Sequence, residues 1–100
     1  MYLLGGSNAN QGNVLVKRND EYLGPICDDS WTLIQAHVFC KQFGYRKASN
    51  IRSGSYFGKM KSEYAYDRFQ CKGHENSLYE CKSHQRTHCG PFDGAGVECK

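Results

Sequence analysis

Apolar and polar residues near the start of the chain follow a pattern that predicts two strands. In residues 13–18, Val14 and Val16 lie on one face of an extended segment that ends in two basic residues. The Asn-Asp pair at 19–20 is typical of a tight turn. Residues 21–27 are therefore expected to return as a second strand, antiparallel to the first.

Apolar residues at spacings of three and four then predict a helix over residues 33–43. Its apolar stripe consists of Leu33, Ala36, Cys40 and Phe43. Thr32 can cap the first turn, and Gln35 lies three residues later, as in a capping box. Gly44 stands where a helix C-terminus often needs a left-handed residue.

The remaining segments predict short strands and irregular stretches. Loops are expected at residues 5–13, 46–62 and 82–94, which are rich in polar residues and glycine. Strands are expected at residues 64–71 and 95–99, and a helical turn at residues 75–81 with Leu78 facing inward. The mixture indicates an α+β fold in which the helix packs on a sheet.

Length and composition describe one small domain. One hundred residues suffice for a single hydrophobic core, so residues 1–100 are assigned to one domain. Hydrophobic residues form 39% of the chain and charged residues 23%, which is the balance of an ordinary globular protein. The net charge of +3 is too small to indicate a nucleic-acid-binding protein. No stretch has the apolar length that a membrane span requires.

The six cysteines indicate a disulfide framework and an extracellular location. Cysteine spacing alone does not choose among the many pairings that six cysteines allow. The first residues lack the basic and apolar regions of a signal peptide. The chain is therefore expected to be a fragment of a larger protein, either secreted or the ectodomain of a membrane protein, with Met1 added as an initiator.

Five segments spread along the chain carry a resemblance to a known family. They are residues 4–6 (LGG), 27–31 (CDDSW), 38–45 (VFCKQFGY), 71–81 (CKGHENSLYEC) and 95–99 (AGVEC). With this combination of motifs, the sequence resembles the scavenger receptor cysteine-rich family, in its group with six cysteines. The resemblance implies a curved antiparallel β-sheet that cradles one α-helix. It also implies three disulfides, Cys27–Cys89, Cys40–Cys99 and Cys71–Cys81.

Two residues just before Cys27 depart from the family pattern. Leu23 stands where the family usually has tryptophan, and Pro25 stands where it usually has threonine. Proline has no N–H to donate, so Pro25 is expected at a sheet edge or a bulge. These departures bear on ligands that would contact this strand and leave the expected fold unchanged.

Adjacent acidic residues give the first candidate for chemistry. Asp28 and Asp29 follow Cys27, and taken alone such a pair is more often two solvated turn carboxylates. Carboxylates held close together repel, and a cation with a preference for oxygen ligands, Ca²⁺ or Mg²⁺, relieves the repulsion. The implied Cys27–Cys89 disulfide would bring Asp93 towards them, and the resemblance implies a cation site formed by Asp28, Asp29 and Asp93. The family usually has glutamate at the position of Asp93.

Other metal sites are not expected. Some family members have a second cation site, but here only Asp67 matches its usual ligands, while Tyr64 and His88 stand where an acid and an asparagine are typical. The run Cys81-x-x-His84-x-x-x-His88-Cys89 has the spacing of soft zinc ligands. Since the implied disulfides occupy both cysteines, His84 and His88 are expected to be exposed loop residues.

Basic residues give the second candidate surface. Six of them lie in or beside the predicted loop 46–62: Arg46, Lys47, Arg52, Lys59, Lys61 and Arg68. A solvated surface explains such a set about as well as a binding patch does. As a binding patch it would recognise polyanionic ligands, such as sulfated glycans, lipoproteins or microbial polymers, and salt would weaken the binding.

Two functions follow from these patterns, and both are non-enzymatic. The first is an extracellular ligand-binding module of a receptor or secreted scavenger-type protein, which recognises polyanions or a protein with a divalent cation at the acidic cluster. The alternative is an accessory docking or spacer domain of a multidomain enzyme of the trypsin-like protease or lysyl oxidase type. The sequence has no nucleophile elbow or phosphate-binding loop, so an enzyme is not expected.

Overall fold

A computed structural model describes residues 1–84 and 89–100. The strands, in chain order, are β1 (Tyr2–Gly5), β2 (Gln11–Arg18), β3 (Glu21–Pro25), β4 (Ala48–Arg52), β5 (Arg68–Gln70), β6 (Lys82–His84) and β7 (Gly96–Cys99). Helix α1 spans Leu33–Gln42, and a short 3-10 helix spans Leu78–Glu80. No helix within the described residues is long and apolar enough to cross a membrane.

Strand β2 is the centre of the main sheet, and every pairing in that sheet is antiparallel. It pairs with β1 on one edge and with both β3 and β7 on the other, because β3 and β7 meet different ends of the strand. Strand β4 pairs with the outer edge of β7, which gives the order β1-β2-β7-β4 with β3 beside β2. Strands β5 and β6 form a separate two-stranded sheet.

The hydrophobic core lies between α1 and the main sheet. Val14 and Val16, on the face of β2 predicted to be apolar, are fully buried. The helix contributes Ala36, Val38 and Phe39, each no more than 1% exposed. This burial supplies the main stabilisation of a domain of this size.

The helix is anchored to the sheet by Trp31. The Trp31 side chain is buried, and its indole N–H donates a hydrogen bond of 3.0 Å to the backbone oxygen of Gly96 in β7. A buried indole needs such a partner, and this one fixes the start of the helix to the sheet.

All three predicted disulfides are confirmed. The bonds join Cys27 to Cys89, Cys40 to Cys99 and Cys71 to Cys81. The Cys40–Cys99 bond links the last turn of α1 to the end of β7, inside the core. The α+β fold with one helix on an antiparallel sheet is therefore confirmed together with its cross-links.

The helix itself is confirmed, with two differences in detail. Leu33 and Phe43 are 46% and 45% exposed, so the predicted apolar stripe extends too far at both ends. The side chain of Thr32 accepts no hydrogen bond from the helix backbone. Instead, the buried side-chain amide of Gln35 donates to the Thr32 hydroxyl at 3.0 Å. Gly44 ends the helix with a φ of +87°, as expected.

Several strand boundaries differ from the sequence prediction. Strand β1 was not predicted, and β2 begins inside the predicted loop 5–13. Strand β4 lies inside the predicted loop 46–62, and β6 lies inside the predicted irregular segment 82–94. The strand predicted at 64–71 is shorter and is β5. In each case the strand boundaries depend on backbone hydrogen bonds to a partner strand elsewhere in the sequence. The local alternation of apolar residues does not reveal that pairing.

Strand β3 agrees with the expectation for its proline. Pro25 is the last residue of β3, and within the described chain this strand pairs with β2 alone. The register of the β2–β3 pairing shifts between Val16 and Lys17, which marks a bulge. Pro25 therefore lies on an edge strand next to a bulge, where its missing N–H leaves no ladder hydrogen bond unmade.

Candidate cation site and ligand surface

The backbone of Asp28 is joined directly to that of Asp93. Cys27 forms an isolated antiparallel bridge with Gly94, and the N–H of Asp28 donates to the backbone oxygen of Asp93 at 2.8 Å. The Cys27–Cys89 disulfide closes the same region covalently. These links place two acidic residues from distant parts of the sequence side by side.

Each of these two carboxylates also holds a loop. One oxygen of Asp28, Oδ2, accepts a hydrogen bond of 2.8 Å from the N–H of Gly54. Oδ2 of Asp93 accepts one of 2.7 Å from the N–H of Gly90. Among the described residues, the second oxygen of each carboxylate has no hydrogen-bond donor. Each carboxylate therefore keeps one oxygen that can face a cation.

The surroundings of Asp28 disfavour its ionised form. Burial raises the pKa of Asp28, and repulsion from Asp93 and then from Asp29 raises it further, against the lowering effect of the Gly54 hydrogen bond. A divalent cation removes this penalty because it favours the ionised form of every nearby carboxylate.

Asp29 lies next to an acid that the predicted cation set did not include. Oxygens of Asp29 and Asp67 lie within 4.8 Å of each other and of the sulfurs of the Cys27–Cys89 disulfide. Disulfide sulfurs are not thiolates and do not ligate metal ions in this form. Asp67 is 9% exposed and lies 3.7 Å from the guanidinium of Arg68.

The donor set at this place fits a hard cation. Ca²⁺ and Mg²⁺ take oxygen ligands, and Ca²⁺ tolerates irregular geometry with water in part of its shell. The acids offer only carboxylate oxygens, and they come from three parts of the chain: Asp28 and Asp29, Asp67, and Asp93. The donor chemistry therefore suits a metal of this class, but within the described residues Asp28, Asp29 and Asp93 do not form a group whose oxygens all lie within 4.8 Å of one another.

The positions expected not to ligate metals behave in different ways. Tyr64 is 8% exposed, and its hydroxyl donates to the backbone oxygen of Gly90, so it supports the loop that carries Asp93. Cys81 and Cys89 are in disulfides, as the argument against zinc required. His84 is exposed at the end of β6, whereas His88 lies outside the described residues.

The six basic residues do not form one uniform patch. Arg46 and Lys47 both donate their backbone N–H to the backbone oxygen of Lys100, and the three residues line one hollow. Lys59 and Lys61 line a different hollow, beside Tyr64, Gly90 and Pro91.

The two arginines of the set are ion-paired. Arg52 Nε lies 2.8 Å from Glu98 Oε2, which lowers the pKa of that glutamate through a charge-assisted hydrogen bond. Arg68 lies 3.7 Å from Asp67. Their positive charge is therefore partly compensated within the domain, whereas Arg46, Lys47, Lys59 and Lys61 make no ion pair with another described residue.

Two exposed aromatic side chains lie beside basic residues of this set, Tyr56 beside Arg52 and Phe92 beside Lys59. Tyr56, inside the predicted loop 46–62, is 60% exposed, and Phe92 is 62% exposed. Phe92 directly precedes Asp93, in a segment that the sequence marked only as irregular. A bulky aromatic residue next to a candidate acid was the one sequence signal for it.

Comparison with known proteins identifies one family. The model of the scavenger receptor cysteine-rich domain matches residues 4–100. The galectin-3-binding protein of Rattus norvegicus is 37% identical over 101 residues, covering 99% of this chain and 17% of the relative. Lysyl oxidase homolog 2 of Xenopus tropicalis is 36% identical over 98 residues, covering 97% of this chain and 13% of the relative.

Solved structures agree with the sequence comparison. The third such domain of murine neurotrypsin superposes with a TM-score of 0.87 at 38% identity and covers 98% of this chain and 92% of that one. The domain of mouse MARCO, in a dimeric form, gives a TM-score of 0.79 at 34% identity, with coverage of 100% and 94%. The chain spans less than a fifth of the curated relatives, whereas it spans almost all of these isolated domains.

Proposed function

The chain belongs to the scavenger receptor cysteine-rich family, and on this premise we propose that it binds polyanionic ligands with the help of a divalent cation. Domains of this family are extracellular, non-catalytic binding modules. The ligands we propose are sulfated glycans, lipoproteins or microbial polymers, or an acidic face of a protein partner. The cation, Ca²⁺ or Mg²⁺, is held by Asp28, Asp29 and Asp93.

One observation carries the cation part of the proposal. Asp28 and Asp93 lie side by side through a direct backbone hydrogen bond, and the pKa of Asp28 is raised by burial and, in smaller part, by the charges of Asp93 and Asp29. A protein gains no stability from such crowding, whereas a bound cation turns it into a favourable interaction. Asp67 adds a fourth carboxylate close to Asp29.

The polyanion part rests on the distribution of charge around the acids. Lys59 and Lys61 line a hollow formed partly by Gly90 and Pro91, the loop that Asp93 holds through its side chain. Glu63 lines the same hollow, and a bound divalent cation would offset two of the three negative charges of Asp28, Asp29 and Asp93, so that the acids oppose the field of the two lysines less strongly. Such a field attracts polyanions over about 10 Å at moderate ionic strength and is screened by salt.

The experiment is binding of the purified domain to immobilised heparin and dextran sulfate at low salt, with calcium and with chelator. The proposal expects binding in calcium, weaker binding in chelator, and loss of binding as salt is raised. Absence of binding both with and without calcium contradicts the polyanion function.

The alternative is a docking or spacer domain in a larger protein. The observation that favours it is that the chain covers only 13% of lysyl oxidase homolog 2 and 17% of galectin-3-binding protein. Deleting the domain from the full-length protein separates the two functions. A docking domain is needed for assembly with partner proteins but not for polyanion binding, whereas a ligand-binding module is needed for polyanion binding.

A further inference from the structure

Tyr56 and Phe92 are the most exposed large apolar side chains in residues 1–84 and 89–100. They are 60% and 62% exposed, above Leu4 at 56%. Exposed aromatic rings concentrated in one place often mark a binding surface, because tyrosine and other aromatic residues dominate contact energies there. The neighbouring ring of Phe57 meets Tyr56 edge-on at 4.9 Å and limits the motion of Tyr56.

Each of the two rings has a cation beside it. The guanidinium carbon of Arg52 lies 4.6 Å from the ring centroid of Tyr56, and the ammonium nitrogen of Lys59 lies 5.8 Å from that of Phe92. Both distances are within the range of a cation–π contact. Arg52 is also fixed by Glu98, so the side chain is oriented on two sides.

The two loops that carry the rings are held together through Ser55. Its N–H donates to the backbone oxygen of Gly94 at 3.0 Å, and its hydroxyl donates to that of Pro91 at 2.9 Å. The same hydroxyl accepts from the N–H of Gly94 at 2.8 Å. The backbones that position Tyr56 and Phe92 are therefore preorganised, which lowers the entropic cost of binding.

This aromatic surface adjoins the acidic cluster. Gly54, two residues before Tyr56, donates to the carboxylate of Asp28, and Phe92 directly precedes Asp93. The backbones that carry the two rings therefore adjoin those that carry Asp28 and Asp93.

We propose that Tyr56 and Phe92, with Arg52 and Lys59, form the contact surface for a sulfated saccharide. The C–H faces of pyranose rings pack on the aromatic rings, and the sulfate groups pair with the two cations. The inference rests on the proposed function and names the ligand class and the surface within it.

The distances favour a saccharide over a single-stranded nucleic acid. Each ring has its cation within 6 Å, so the ligand must carry its anionic group directly on the unit that stacks. Sulfates are attached to the pyranose ring itself. In a nucleic acid, the sugar separates the phosphate from the stacked base.

The test is calorimetry with a heparin-derived hexasaccharide on the wild type, on Tyr56→Ala and on Phe92→Ala. We expect each variant to bind the saccharide roughly tenfold more weakly, the loss of one well-packed aromatic contact. Tyr2→Ala, which removes an exposed tyrosine from β1, is the control and is expected to bind like the wild type. Lys59→Ala is expected to weaken binding more than Lys47→Ala, its charge-matched control beside the other hollow.

Two further ligands, inorganic polyphosphate and oligothymidylate, show whether the aromatic variants lose affinity for a saccharide, for charge alone or for a nucleic acid. Polyphosphate has charge without rings, so its affinity is expected to be the same for wild type and aromatic variants. If the aromatic variants lose polyphosphate binding equally, the rings only orient cations and the inference is wrong. If oligothymidylate binds more tightly than the hexasaccharide and loses that affinity in the variants, the occupant is nucleic acid and the inference is equally wrong.

Failure of the inference and failure of the proposed function give different results. If the wild type and the aromatic variants bind the hexasaccharide equally well, the aromatic contact surface is wrong and the proposed function stands. Wild type that binds neither the hexasaccharide nor any other polyanion overturns both.

Discussion

The carboxylate of Asp28 accepts a hydrogen bond of 2.8 Å from the backbone N–H of Gly54, a residue 26 positions further along the chain. This contact gives Asp28 a second role beside the proposed cation binding, because it also holds the loop that carries Tyr56. Charge and hydrogen-bonding capacity at this position can be separated by substitution, since asparagine keeps an acceptor oxygen and loses the charge.

Asp28→Asn and Asp28→Ala are therefore expected to differ in stability when no divalent cation is present. Asp28→Asn keeps the Gly54 contact and removes the repulsion from Asp93 and Asp29, so its free energy of unfolding should equal or exceed that of the wild type. Asp28→Ala loses the contact and should be about 1 kcal/mol less stable than Asp28→Asn. Urea unfolding in chelator measures both. Equal destabilisation by the two substitutions would show that the Gly54 contact contributes nothing.

His37 is expected to stabilise the junction of helix α1 and strand β4. Its Nδ1 accepts a hydrogen bond of 3.0 Å from the backbone N–H of Ala48, which is 3% exposed. His37→Ala leaves a buried donor without a partner and should lower the free energy of unfolding by about 1–3 kcal/mol. His37→Asn places an acceptor oxygen near the position of Nδ1 and should recover part of the loss. An alanine variant as stable as the wild type would contradict this role.

Glu75 is expected to make stability depend on pH in the acidic range. Its carboxylate accepts the backbone N–H groups of Lys72 and Gly73, and these bonds lower its pKa from 4.5 to about 2. Because the pKa is depressed in the folded state, the contribution to stability is complete above the unfolded value of 4.5. It is lost as the pH falls from there through about 2.

Melting temperatures of the wild type and Glu75→Gln between pH 2 and 6 check this sign, on the assumption that both proteins unfold reversibly. The wild type should be the more stable protein at pH 6, and the difference should vanish towards pH 2. Glu80→Gln, which removes the same charge at an exposed position, is the control. A difference that grows on acidification would contradict the assignment.

The disulfides are expected to differ in importance. Cys40–Cys99 closes a loop with a sequence separation of 59 and lies in the core, whereas Cys71–Cys81 spans a separation of 10. On the chain-entropy account, the longer loop is worth about 4 kcal/mol and the shorter about 2–3 kcal/mol. The paired alanine variant of Cys71 and Cys81 should still fold, while that of Cys40 and Cys99 should not fold at physiological temperature. Circular dichroism and heat denaturation measure both.

The sequence predicts those parts of the fold whose signals are local. Helix α1 has its stripe, its N-terminal residues and Gly44 within one short segment, and the prediction was right to within a residue. The Val14 and Val16 alternation likewise predicts β2.

Elements that depend on distant partners are not visible in the same way. Strand β4 has no apolar alternation and is a strand because Ile51 and its neighbours pair with β7. Gly5 shows the same dependence, since a Cβ there would lie 2.2 Å from the backbone oxygen of Phe57. The residues around Gly5 in the sequence do not indicate that Phe57 lies beside it.

The candidate site could likewise be predicted from the sequence only in part. The proximity of Asp93 to Asp28 depended on knowing which cysteine pairs with Cys27, and the family resemblance supplied that pairing. The proximity of Asp67 to Asp29 and the exposure of Phe92 result from packing between segments with no sequence relationship. Basic residues that looked like one patch lie in separate groups, since Arg46 and Lys47 line one hollow, Lys59 and Lys61 line another, and Arg52 pairs with Glu98.

The central claim, a divalent cation held by Asp28, Asp29 and Asp93, is tested most directly by calorimetric titration of calcium into wild type, Asp28→Asn and Asp20→Asn. Asp20 is a fully solvated acid in the hairpin turn and serves as the charge-matched control. The account predicts saturable binding to the wild type and to Asp20→Asn, and at least roughly tenfold weaker binding to Asp28→Asn, as expected when a charged ligand is lost. Identical titrations of wild type and Asp28→Asn would contradict it.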